Sequence, residues 1–280
     1  MFMHNLKRWA FCLLLLGCNQ ERNKSIEAMN MGVQAGAQKL YDRAITHLQQ
    51  ALAFDPTNDQ AHYNLGMVYK DQKKWPEAIT SFENAAKYAP DNPSYQYELG
   101  TACLEAKKFD QAKAAFEQAV KIEPKLFKGY HRLGMTLERM EKYKDADVAY
   151  RKAIEVNPRF NQPFISLANL YLDFDYDKEA AQVFQSAIMV NDADSEAHYG
   201  LGVANQKSKQ YEEAAKEFKR AYELNSDLWQ AVYNLGMTYK SMDDKKNAIE
   251  WLKKFQQVGS RGGPEMARVA QEAINQLEAP

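Results

Sequence analysis

Residues 59–92 read DQAHYNLGMVYKDQKKWPEAITSFENAAKYAPDN, one period of a pattern that returns every 34 residues and decides the fold. Gly66 stands in a column of small residues with Gly32, Gly100, Gly134, Ala168, Gly202 and Gly236. Ala78 belongs with Ala44, Ala112, Ala146, Ala180, Ala214 and Ala248; Phe82 belongs with Leu48, Phe116, Tyr150, Phe184, Phe218 and Leu252. Ala85 recurs as Ala51, Ala119, Ala153, Ala187 and Ala221, then gives way to Phe255. Pro90 recurs as Pro56, Pro124 and Pro158, whereas Asp192, Ser226 and Ser260 replace it in the later periods. Such self-similarity marks an array of paired helices in which each unit buries its apolar face only against its neighbours. The small columns let the two helices of a unit approach closely, and the large apolar column is expected to fill the gap between units. Proline ends the second helix. Where it is lost, Asp192 and Ser226 are expected to serve as turn or cap residues, with looser junctions.

The sequence Leu65-Gly66, followed by Tyr69, Ala78, Phe82, Ala85 and Pro90, resembles the tetratricopeptide repeat. The resemblance covers 25–262 as seven units, 25–58, 59–92, 93–126, 127–160, 161–194, 195–228 and 229–262. It implies an all-α fold, a right-handed superhelical solenoid of seven repeats. At 263–280, Pro264 opens a further helix whose Met266, Val269, Ala270, Ala273, Ile274 and Leu277 recur at helical spacing. This segment is expected to be a capping helix that covers the last repeat.

Before the array, Lys7 and Arg8 precede an apolar run from Trp9 to Leu16, too short to span a bilayer. Leu15-Leu16-Gly17-Cys18 resembles a bacterial lipobox. That resemblance implies a lipoprotein signal peptide at 1–17, lipid attachment at Cys18 and a short tether over 18–24. Asn19 after the cysteine favours sorting to the outer membrane, facing the periplasm. An extended tether of six residues reaches about 20 Å and would hold the first repeats close to the membrane. The alternative is a plain signal peptide or a short N-terminal anchor. With Cys12 in the removed segment, Cys18 and Cys103 remain, so no structural disulfide is expected.

The balance of 36 basic and 37 acidic residues leaves no electrostatic footprint for nucleic acid. No phosphate loop, nucleophile elbow or HExxH run occurs, and the five histidines are dispersed. Neither enzymatic activity, a metal nor a cofactor is expected.

In the tetratricopeptide family the first helices of the repeats line a concave face. At the fifth position of each unit this chain places Met29, Tyr63, Tyr97, His131, Ile165, Tyr199 and Tyr233; at the ninth, Val33, Met67, Thr101, Met135, Asn169, Val203 and Met237. Tyr63 with Met67, His131 with Met135, and Tyr233 with Met237 share a helix face at i, i+4. Adaptable Met beside rigid Tyr suits a groove for a peptide segment; packing or a convex-face contact is the competing reading. Lys128 and Arg132 match the third unit's pair of the family's carboxylate clamp, but Glu98, Tyr63 and Met67 replace the rest, so a complete clamp is not expected. The resemblance implies a protein-interaction scaffold. Lipobox and repeat array together resemble the pilotin-type lipoproteins that assist outer-membrane secretin assembly in type IV pilus systems. The alternatives are an adaptor organising peptidoglycan hydrolases or synthases, and an intracellular co-chaperone.

Overall fold

A computed structural model describes residues 2–258 and 263–279, with side chains from residue 19 onward. The Cys18 attachment and the signal-peptide side chains therefore lie outside the described residues, as do positions 259–262. Every element among the described residues is a helix. One compact unit, ending at Lys142, contains α1 (Phe2–Ala37), α2 (Tyr41–Phe54), α3 (Asp59–Asp71), α4 (Trp75–Tyr88), α5 (Pro93–Glu105), α6 (Phe109–Ile122) and α7 (Phe127–Arg139). The other begins at Tyr143 and contains α8 (Tyr143–Val156), α9 (Gln162–Asp173), α10 (Asp177–Val190), α11 (Ser195–Lys207), α12 (Tyr211–Leu224), α13 (Trp229–Ser241), α14 (Lys245–Val258) and α15 (Gly263–Glu278). Within each unit, consecutive helices pack as antiparallel hairpins, and each hairpin packs on the next.

The columns are the core. Each residue in the alanine column headed by Ala78 and the large column headed by Phe82 is fully buried, as are Ala85 and its equivalents. The large residue lies over the small residue of its own repeat and also packs on the next repeat, Leu48 with Leu65 and Phe218 with Leu235. A methyl group added at Gly66 would stand 2.6 Å from Phe82 Cε1, and one at Gly202 2.6 Å from Phe218 Cδ1. Glycine is required because the ring occupies the volume of a side chain. The fifth repeat solves the problem differently: Ala168 carries a methyl group, and the Phe184 ring lies where a side chain on Gly200, in the following repeat, would have to stand.

The hairpin turns repeat as closely as the core. Lys39, Lys73, Lys107, Glu141, Asp175, Lys209 and Asp243, one per period, all have left-handed backbone, with φ between 56° and 62°. At the second turn, the Lys73 amide donates to the Lys70 carbonyl at 2.9 Å and the Lys74 amide to the Tyr69 carbonyl at 2.9 Å. That pair of bonds satisfies carbonyls left open at the end of α3. Glycine is the residue that favours this conformation, and none of the seven turns has it.

The junctions between repeats are closed with or without proline. Asn58 donates its amide to Asp55 O at 3.1 Å beside Pro56; beside Asp192, the Asp194 amide reaches Asn191 O at 3.3 Å, and beside Ser226, the Leu228 amide reaches Asn225 O at 3.1 Å. At Asp192 and Ser226 the expected looser junctions are absent: the side chains of Asn191 and Asn225 accept from the amides of Ala193 and Asp227, the same turn that Asp55 and Asn157 make with Thr57 and Arg159 beside Pro56 and Pro158. Asn58 and Asp194 then cap α3 and α11, accepting from the Ala61 and Ala197 amides. Polar stitches cross the junctions: Asn58 to Ser25 at 2.9 Å, Tyr95 to Asp59 at 2.6 Å and Asn161 to Asp194 at 2.8 Å.

The ends differ from the middle. Glu27, Met31 and Gln34 on α1 are exposed, whereas their equivalents Ala61, Leu65 and Val68 on α3 are buried against the preceding repeat. Two of the three are polar, which suits a face that meets water. At the other end α15 lays Ala270, Ala273 and Ile274 on Val232, Leu252 and Phe255, and its Arg268, Glu265 and Glu272 form ion pairs on the exposed side. Residues 19–24, expected as an extended tether, instead continue α1, with Lys24 paired to Glu21 one turn away at 2.9 Å. In helical form six residues advance about 9 Å, not 20.

Candidate protein-binding face

The first helix of each hairpin carries the residues singled out by the sequence. In the N-terminal unit, Tyr63 and Met67 on α3, Tyr97 on α5, and Met135 on α7 are half-buried. The Tyr63 ring sits 5.8 Å from Phe82, and Tyr97 meets Phe116 edge-on at 5.9 Å. These tyrosines rest on the large residue of their own repeat. Burial, then the nearby carboxylate of Glu98, pushes the Tyr63 hydroxyl above its ordinary pKa, so it remains a neutral donor.

His131, expected in the groove, is buried, and desolvation followed by the neighbouring Arg132 charge holds it down at about 4. It is a neutral core residue at physiological pH. Arg132 is half-buried; Lys128 is exposed, with its ammonium 6.0 Å from the Phe127 ring. A pair that sequence reading missed joins α3 to α5: Lys70 Nζ contacts Glu98 Oε2 at 2.7 Å, with both side chains largely buried. Glu98, which occupies a clamp asparagine position, thus neutralises a lysine of this protein. The signal was the opposite charge of residues 28 apart, which only the stacking of one repeat on the next brings together.

In the C-terminal unit, Tyr199 on α11 and Tyr233 and Met237 on α13 are half-buried. Tyr199 lies 5.8 Å from Phe218 and accepts a hydrogen bond from Asn234 Nδ2 at 3.1 Å. Tyr233 meets Phe255 edge-on at 5.2 Å. Here the aromatic has moved three residues along α14, with Leu252 in the usual ring position, and the tyrosine still finds a ring. Lys207 is tied to Asp175 and Asp177, and Lys240 to Gln276. The face in this unit is chiefly tyrosine, valine, methionine and amide.

The remaining candidates are structural. His62 and His198 each turn Nε2 toward the carbonyl six residues earlier, Pro56 O at 3.0 Å and Asp192 O at 3.2 Å. Cys103 is buried, and desolvation raises its thiol to about 11. Among the described residues no group of three or more His, Cys, Asp or Glu is placed to hold a metal ion, and no helix is long and apolar enough to cross a membrane.

Family models described as tetratricopeptide or TPR repeats match residues 37–73, 63–126, 127–160, 195–228 and 230–258. The chain is a tetratricopeptide repeat protein. No curated protein matches it in sequence. Among solved structures, a tetratricopeptide repeat protein from Parabacteroides merdae superposes with TM-score 0.64 at 16% identity, covering 92% of this chain and 100% of that one. PilF of Pseudomonas aeruginosa superposes with TM-score 0.61 at 16% identity, covering 82% and 100%. YrrB, described as a TPR protein with an unusual peptide-binding site, gives 0.58 at 21% identity, covering 68% and 97%. At these identities the likeness is one of fold. A tetratricopeptide array is typically a non-catalytic surface for protein interaction, and this chain shares that architecture.

Proposed function

We propose that this tetratricopeptide protein is a lipid-anchored scaffold of a bacterial envelope that holds a peptide segment of a partner on the first helices of its repeats. The observation that carries the binding face is the set of half-buried Tyr63, Met67 and Tyr97 in the N-terminal unit and of Tyr199, Tyr233 and Met237 in the C-terminal unit. Each tyrosine is braced from behind by a core ring, so it offers apolar contact with little rotamer entropy left to lose. The lipobox-like Leu15–Cys18 supports the anchor, and Asn19 after it supports an outer-membrane site facing the periplasm.

The partner we favour is an outer-membrane secretin of a type IV pilus, whose assembly this protein would assist. The combination of lipobox and repeat array supports that reading, and the fold likeness to PilF is in keeping with it. Deleting the gene should abolish the heat- and detergent-resistant secretin multimer while monomer persists; a normal multimer rejects the secretin assignment. Tyr233→Ala with Met237→Ala should weaken crosslinking to the partner without unfolding the chain. Palmitate label retained by the Cys18→Ala variant would sink the anchor.

A further inference from the structure

One hairpin turn is unlike the other six. Between α9 and α10 the chain reads Phe174-Asp175-Tyr176, where the corresponding turns read Gln38-Lys39-Leu40, Gln72-Lys73-Lys74, Ala106-Lys107-Lys108, Met140-Glu141-Lys142, Ser208-Lys209-Gln210 and Met242-Asp243-Asp244. None of those carries an aromatic residue. Phe174 and Tyr176 are 45% and 57% exposed, and Tyr143, at the start of α8, adds a third exposed ring. Tyr143 meets Phe174 edge-to-face at 4.8 Å, and Tyr171 meets Tyr176 in the same manner at 6.2 Å. The core does not need these rings, since the fully buried Phe184 already fills the fifth repeat.

The surrounding charge is mainly negative. Asp173, Asp175, Asp177 and Glu179 lie within seven residues, against Lys178. Lys207 reaches in to bond Asp175 at 2.7 Å and Asp177 at 3.2 Å, leaving the exposed Asp173 and Glu179 uncommitted. The protein shows beside this turn what such a combination holds. Arg151 donates from Nε to Asp147 at 2.9 Å and from Nη2 to the Tyr171 hydroxyl, and that hydroxyl donates to the same carboxylate at 2.5 Å. A guanidinium is thus held at once by a tyrosine hydroxyl and by a carboxylate.

We propose that the α9–α10 turn is a second docking surface, separate from the helix-A face, for an arginine-bearing extended segment of a partner protein. Arginines of the segment pack against the exposed Phe174 and Tyr176 rings and pair with Asp173 and Glu179, and the Tyr176 hydroxyl beside those carboxylates offers the same kind of contact that Tyr171 and Asp147 give Arg151. Charge complementarity selects this occupant. An acidic segment would be repelled, and an uncharged apolar one would leave the carboxylates without partners.

The test uses the full chain and fluorescein-labelled Gly-Arg-Gly-Arg-Gly-Arg-Gly, with glutamate and lysine counterparts, read by fluorescence polarisation. The arginine peptide should bind about tenfold tighter than the glutamate peptide and measurably tighter than the lysine one. Phe174→Ala with Tyr176→Ala should weaken binding about tenfold, and Asp173→Asn with Glu179→Gln should weaken it and flatten its salt dependence. Tyr233→Ala with Met237→Ala should leave it unchanged, which separates this surface from the helix-A face. Equal binding of arginine and glutamate peptides, or full binding by the ring variant, overturns the proposal. If the ring variant loses its helical circular dichroism, the exposed Tyr176→Ser and the charge-neutralised variant decide the matter alone.

Discussion

A glycine under a ring and a lysine in a left-handed turn make opposite demands on a single residue. Gly202→Ala would drive a methyl group into Phe218 and should destabilise the chain by about 1–3 kcal/mol, read from chemical unfolding. Lys73→Gly removes the strain of a side chain at φ 56°, though the unfolded chain gains freedom; the net effect should be a stabilisation of up to about 1 kcal/mol, seen as a raised denaturation midpoint. His131 links stability to pH. Its folded pKa lies near 4, below its ordinary 6.5, so the unfolded chain takes up the proton first. Stability present above pH 6.5 is therefore lost as pH falls from about 6.5 toward 4, by up to about 3 kcal/mol. Unfolding midpoints across that window should fall for the native chain and fall less for His131→Gln.

At the scale of helices, α15 has a measurable duty. Truncation after Val258 uncovers Val232, Leu252 and Phe255, and the milder Ile274→Ala leaves a cavity costing about 2–4 kcal/mol. Hydrogen exchange should then show α13 and α14 opening ahead of the rest of the C-terminal unit; unchanged protection there would deny α15 a capping role. The apolar face of this helix was legible because its spacing is local, as were the alanine and ring columns. The packing partner of each ring was not. Periodicity states that Phe82 and Gly66 recur together, but it does not say that the ring lies over that glycine. The same limit hid the Lys70–Glu98 pair and misjudged His131, whose burial depends on helices packed around it rather than on its place in the period.

For the molecule as a whole, nearest-neighbour packing predicts additive energetics. Gly66→Ala and Gly202→Ala lie four repeats apart, one in each compact unit, and their losses should sum within about 0.5 kcal/mol. A double variant departing from the sum by more would reveal coupling that the array does not otherwise require. The 34-residue period by itself determined the helices, their pairing and the buried columns, because each is fixed by contacts that recur at constant separation along the chain. Tertiary structure alone decided which small residue each ring lies over, which tyrosines keep a solvent-facing side, and that the fifth turn exposes Phe174 and Tyr176 beside uncommitted carboxylates. Those features arise from the stacking of one hairpin on the next, and surface exposure has no period to be read from the sequence.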